Sequence, residues 1–89
     1  MQSFEADVYK RIVALVQAIL AQNALPTELD PDARLVDAGL TSMDMVSLML
    51  SVEAEFDFTI PQGEITAENF QSVETLRRMV VAQLQPSAV

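Results

Sequence analysis

Among the 89 residues, Ser42 is the one whose chemical type and setting invite a reaction. It follows Leu35-Val36-Asp37-Ala38-Gly39-Leu40-Thr41 and opens the run Ser42-Met43-Asp44-Met45-Val46, so a glycine turn delivers a primary hydroxyl to the start of a strongly apolar helix. The N–H groups of a helix's first turn have no intrahelical partner and stand at the positive end of its dipole. A phosphodiester built on that hydroxyl would lie against them, which makes the stretch a phosphate site. A serine in this place is also an ordinary helix N-cap, and its type and position alone leave both readings open. Asp44, in the first turn after it, reads at this level as an acid favoured by the dipole.

The rest of the composition narrows the chemistry. There is no Cys and no His, so disulfides, thiolate metal sites, a cysteine nucleophile and the commonest general base are all absent. A small hydrolase using Ser42 fails for want of that base, and an 89-residue core is too small to surround a substrate. The chain is expected not to be an enzyme. With 5 basic and 13 acidic residues the net charge is −8, which repels phosphate backbones and anionic lipid surfaces. Neither nucleic acid binding nor membrane insertion is expected. The longest apolar run, residues 12–20, is broken by Gln17 and is too short for a bilayer, and the first residues lack the pattern of a signal peptide. The expected setting is the cytoplasm, and the expected state a monomer.

The elements that must position Ser42 follow from period. A hydrophobic content of 51%, with only 2 Gly and 4 Pro, suits one globular domain. Ser3 is placed to cap a first helix whose apolar residues Phe4, Val8, Ile12, Leu15 and Ile19 recur at steps of three and four, with Glu5 and Asp7 in its first turn. A long connection follows through Asn23, Pro26 and Pro31 to Gly39, with Leu25, Leu29, Leu35 and Val36 as its expected anchors on the core. A second helix over 42–56 has no Gly or Pro and carries apolar residues on more than one face. Ile60-Pro61 reads as an extended exit, residues 66–69 as one short helical turn, and Ser72 as the cap of a last helix through Val73, Leu76, Val80 and Leu84. Pro86 ends it. The fold class is all-α: a small bundle of three main helices plus a short one, with the domain over 1–85 and a tail without fixed structure over 86–89.

The Ser42 stretch, with the downstream Glu53-Ala54-Glu55-Phe56-Asp57-Phe58-Thr59-Ile60-Pro61, resembles the acyl carrier protein family. There a Gly, a hydrophobic residue and Asp-Ser-Leu lead into a helix that ends in an acidic-Phe segment and Ile-Pro. The resemblance is close over residues 35–61 and extends to the flanking helices by length and order. It implies that Ser42 carries 4′-phosphopantetheine, donated by coenzyme A, whose thiol supplies what the chain lacks and holds an acyl group as a thioester for delivery to partner enzymes. Catalysis would then belong to those partners: a phosphopantetheinyl transferase, acyl or aminoacyl ligases, and acyltransferases or synthases. Met43 stands where the family has leucine, a tolerable apolar swap. Thr41 replaces the family's usual Asp, which bears on which transferase recognises the chain. Asp44 gains a second reading, as a contact to the transferase or its Mg²⁺.

By the same resemblance Asp37, Thr41, Met43, Asp44, Val46, Leu50 and Glu53 are expected to face partners. Val46 and Leu50 are the expected exposed pair, while Leu48, Val52 and Phe56 read as core. Methionine on this helix suits a surface that adapts to several partners. Ser47 and Ala54 stand where typical fatty-acid carriers have further acids, which points to a specialised partner set. Carriers of this family serve fatty acid or polyketide synthesis, peptide synthetases, D-alanine transfer and aminoacyl ligases. Strong acidity favours an acyl carrier over a peptidyl one, whereas Gly39-Leu40-Thr41-Ser42-Met43 also resembles discrete aminoacyl or D-alanyl carriers. A helical interaction domain whose serine is never modified is the alternative from another class.

Ten of the acids and a single base, Arg34, fall within residues 28–68, a net −9, while the flanks together come to +1. Such clustering is self-repelling at neutral pH and low ionic strength. Added NaCl or Mg²⁺ should therefore raise the melting temperature, and a melting temperature indifferent to both would show the acids to be dispersed or already paired.

Overall fold

The computed structural model describes residues 3–84 and contains three α-helices: α1 (Phe4–Gln22), α2 (Ser42–Phe56) and α3 (Val73–Leu84). Helix α1 is the element on which both others pack. Its first turn is capped by Ser3, whose Oγ accepts the Ala6 N–H at 3.0 Å. Val8, Ile12, Val16, Ile19 and Leu20 form its buried stripe. Phe4 continues that period but is exposed, because it lies at the very start of the helix, beyond the core that α2 and α3 complete.

No glycine ends α1. Ala24 takes the left-handed conformation at φ 56°, its N–H donates to the Ala21 carbonyl, and Leu25 N–H reaches back to Leu20 at 2.8 Å. These are the paired bonds of a Schellman closure, here made with an alanine where glycine is usual. The long connection beyond is held down by half-buried Leu25 and Leu29 and by fully buried Leu35. Leu35 N–H also donates to the Gln71 carbonyl at 2.8 Å, tying this loop to the one before α3. Val36 is no anchor. Residues 35–39 form a tight turn, so with Leu35 facing inward its neighbour faces solvent.

Helix α2 buries Leu48, Val52 and Phe56, spaced by four, against the core. Its far end is fixed by Arg11 of α1, whose Nε and Nη2 donate to the Glu55 carboxylate and carbonyl, each at 2.7 Å, while the guanidinium lies 4.4 Å above the Phe56 ring. One cation thus satisfies a terminal carbonyl, pairs an acid and covers an aromatic face. After the left-handed Asp57, buried Ile60 leads through Pro61 into a short 3-10 helix at Gln62–Glu64. The short helix thus precedes the expected position. Residues 67–70 make only a hydrogen-bonded turn, with Asn69 N–H on Thr66 Oγ1 and Phe70 N–H on the Thr66 carbonyl.

Ser72 caps α3 as the sequence predicts: its Oγ accepts Thr75 N–H at 3.2 Å and its own N–H donates to Thr75 Oγ1 at 3.0 Å. Arg77 joins Glu74 on its own helix to Glu5 of α1, and these hydrogen bonds, that to Glu74 foremost, hold the guanidinium pKa above its ordinary value. The expected stop at Pro86 and the tail over 86–89 lie outside the described residues.

Phe56 joins two such constraints, being a core residue and the platform for Arg11. Phe56→Ala should cost about 3–5 kcal/mol in urea unfolding, in the range for truncating a buried aromatic. A loss below about 1 kcal/mol would mean that the end of α2 contributes little to the core.

Candidate functional site

The turn that delivers Ser42 is built by exclusion. Gly39 has φ 109°, where a side chain strains the backbone, and a Cβ on it would stand 2.7 Å from Leu25 Cδ1, so that leucine would also have to shift. Leu40 buries itself and the chain emerges extended at Thr41. Thr41, not Ser42, is the N-cap of α2. Its Oγ1 accepts Asp44 N–H at 3.2 Å, and Asp44 Oδ2 accepts Thr41 N–H at 2.8 Å, a reciprocal capping box. The Thr41 hydroxyl also reaches Asp44 Oδ2 at 3.1 Å.

Ser42 is consequently the first fully helical residue, exposed, with a hydroxyl that makes no hydrogen bond among the described residues. The capping box accounts for the N–H groups of Thr41 and Asp44, and Met45 N–H bonds to the Thr41 carbonyl at 3.0 Å. The Ser42 and Met43 N–H groups are left at the positive helix end beside that hydroxyl. The local arrangement presents a nucleophilic oxygen with two donors for an anionic group attached to it.

Asp44 is held as a carboxylate. The Thr41 backbone N–H and then the Asn23 amide, whose Nδ2 donates at 2.9 Å, lower its pKa below the ordinary aspartate value. Asp37 lies on the turn before the site, in an exposed ion pair with Arg34 at 3.1 Å. Met43, Val46 and Leu50 are 75%, 49% and 55% exposed and follow one another down the outer side of α2, so the expected exposed pair is indeed at the surface. Glu53 is further along and half-buried, and its Oε2 accepts Ile60 N–H at 2.8 Å. Thr41, Asp44 and Glu53, all expected at a docking surface, thus have polar atoms engaged in holding the two ends of α2.

Two features had no clear signal in the sequence. Asn23 reads in the sequence only as part of a loop, and its bond to Asp44 spans 21 residues. A groove of about 530 Å³ also runs beside α2, with Met45, Val46 and Met49 on one side and Ile65 and Phe70 on the other. Ile65 is a lone apolar residue in a polar stretch, with no period to mark it.

A family model described as a phosphopantetheine attachment site matches residues 10–80. The chain belongs to the phosphopantetheine-binding carrier proteins. It is 70% identical over 87 residues to Aminoacyl carrier protein 1 of Bradyrhizobium diazoefficiens, covering 98% of this chain and 97% of that one. It is 32% identical over 71 residues to the mitochondrial Acyl carrier protein 2 of Arabidopsis thaliana, covering 79% of this chain and 53% of that one. Among solved structures, it matches a chain in the crystal structure of Bradyrhizobium japonicum glycine:carrier protein ligase complexed with cognate carrier protein and an analogue of glycyl adenylate. The TM-score is 0.74 at 71% identity, over 85% of this chain and 99% of that chain.

The carrier's cofactor is a covalent phosphopantetheine arm, and the donor set around Ser42 suits one: a free hydroxyl with unpaired N–H groups for the phosphodiester.

A carboxylate with a lowered folded-state pKa stabilises the fold above its unfolded value, and that contribution is lost as pH falls through the folded one. From about pH 5 down to about pH 2, wild type should lose more stability than Asp44→Asn, whose amide does not titrate. Urea midpoints across that range would check it, and parallel curves would show that the Thr41 and Asn23 bonds do not distinguish the charged form.

Proposed function

We propose that Ser42 is the attachment point of the arm and that the cargo is an amino acid, received from an ATP-dependent aminoacyl ligase. The observation that carries the reading is the division of labour at the helix start: Thr41 caps α2, and the Ser42 hydroxyl stays exposed and unengaged. The close relative named as an aminoacyl carrier and the matching chain in a glycine:carrier protein ligase complex support the choice of cargo. When bound, the arm contributes a thiol that holds the cargo as a thioester. The chain's own residues present the hydroxyl, offer N–H groups to the phosphate, and dock the enzymes that act on the arm.

For docking the carrier offers Met43, Val46 and Leu50, an apolar stripe starting beside Ser42, with Asp37 on the adjoining turn. In this reading it is a non-catalytic cytoplasmic monomer, loaded first by a phosphopantetheinyl transferase and then by its ligase. The neutral Thr41, in place of the family's Asp, favours a transferase that does not rely on a carboxylate there. Fatty acyl cargo is the second reading, favoured by the likeness to a mitochondrial acyl carrier and by the apolar groove beside α2.

Co-expression with a broad-specificity transferase should add about 340 Da to wild type and nothing to Ser42→Ala, which stays folded because the cap belongs to Thr41. Retained attachment in Ser42→Ala would move the site. Offered glycine and ATP with an aminoacyl ligase, or a fatty acid with an acyl ligase, the loaded carrier should accept the first; acceptance of only the second would reverse the cargo assignment. Val46→Arg or Leu50→Arg should slow aminoacyl loading about tenfold or more while circular dichroism stays helical. Unchanged loading would remove the stripe from the docking surface.

A further inference from the structure

The end of α1 meets the serine turn on both of its sides. Before Ser42, Leu25 fills the space against Gly39. After it, Asn23 Nδ2 donates to Asp44 Oδ2 at 2.9 Å, the same oxygen that accepts the Thr41 N–H and hydroxyl. Ser42 lies between the two residues joined by that carboxylate. Asn23 is itself fixed, because its N–H donates to the Ile19 and Leu20 carbonyls and the Schellman closure follows directly.

The capping box is a local device. It sets the shape of the Thr41–Asp44 turn but does not refer that turn to the rest of the molecule, since both its partners move together. Packing of Leu25 on Gly39 and burial of Leu40 place the turn before Ser42, and the Asn23 amide supplies the directional reference after it. It comes from the helix on which the whole core packs, and it donates to an ionised acceptor, a stronger and more directional bond than one between neutral groups. Because Asn23 is exposed, shortening its side chain removes the bond without opening a cavity.

We propose that Asn23 is a positioning residue for the Ser42 hydroxyl, holding through Asp44 the orientation in which Ser42 is offered to the enzyme that attaches the arm. The proposal rests on the reading of Ser42 as the attachment point. Group transfer to a hydroxyl depends steeply on alignment, and displacements near 1 Å are enough to slow it. Asn23 therefore affects the rate of arm attachment without touching the reacting atoms.

The test is kcat/KM for transfer of the arm from coenzyme A to the apo protein by a broad-specificity transferase, followed by intact mass. Wild type, Asn23→Ala, Asp44→Ala and the double variant form a cycle, with unfolding midpoints measured alongside. Asn23→Ala should lower kcat/KM about fivefold, the scale of one net hydrogen bond, and should add nothing in the Asp44→Ala background. Thr75→Ala, which removes the hydroxyl that accepts the Ser72 N–H and donates to the Asn69 carbonyl at the start of α3, should lower the midpoint without lowering the rate. A wild-type rate in Asn23→Ala, an equal loss in both backgrounds, or a matching loss in Thr75→Ala would overturn the proposal. A wild-type protein that takes no arm would instead overturn the reading of Ser42.

Discussion

A serine at a helix start normally turns its oxygen onto the helix's own N–H groups, and an oxygen so engaged is a poor acceptor for a transferred group. The fold around Ser42 is arranged against that outcome. Thr41 is extended and takes the cap, Asp44 answers it from the third helical position, and Ser42 is left between them with nothing to satisfy. The requirement spreads outward. Thr41 follows the turn that Gly39 makes at a φ strained for other residues, Leu25 packs where a Cβ on Gly39 would stand, and Leu25 is there because α1 ends in a left-handed alanine. One free hydroxyl thus depends on how a helix 20 residues earlier stops, a separation set by Gln22 and Ser42.

The sequence was legible wherever structure follows from local pattern. The three helices and the caps at Ser3 and Ser72 arise from period or from a short side chain beside its own backbone, whereas the buried Leu48-Val52-Phe56 row was legible only through family likeness, since α2 is apolar on more than one face. The motif around Ser42 was legible through family likeness, since residue types alone did not separate an attachment site from a cap. The structure shows why: two neighbouring hydroxyls, Thr41 and Ser42, both suit an N-cap, and only the backbone angles at Thr41 decide between them.

What escaped was set by tertiary geometry. Val36 and Phe4 have the right chemistry for the core, but a tight turn and a helix start place them outside it. The 3-10 helix at Gln62–Glu64 has no side-chain cap hydrogen bond and no apolar period of its own to announce it. Asn23 looks like any loop asparagine until α2 is placed against α1, and Glu53 looks like a surface acid until the chain doubles back to bring Ile60 N–H to it. In each case the partner lies on another element or beyond a turn, where periodicity carries no information.

Helix α2 combines two tasks that a smaller apolar content could not support. Its inner row binds it to the core, and its outer row, Met43, Val46 and Leu50, remains in solvent. An exposed apolar row costs solubility, and the chain's net charge of −8 offsets that cost by keeping copies apart. The gain is geometric. From Ser42 to Leu50 the helix advances about 12 Å at its fixed rise per residue, so under the proposed docking an enzyme seated on the outer row would meet the hydroxyl at a set distance and direction. That ruler is only as good as its zero mark. Arg11 clamps the far end of α2 at Glu55 and Phe56, and Asn23 and Leu25 hold the near end, so both ends are referred to α1 while the row between them stays open.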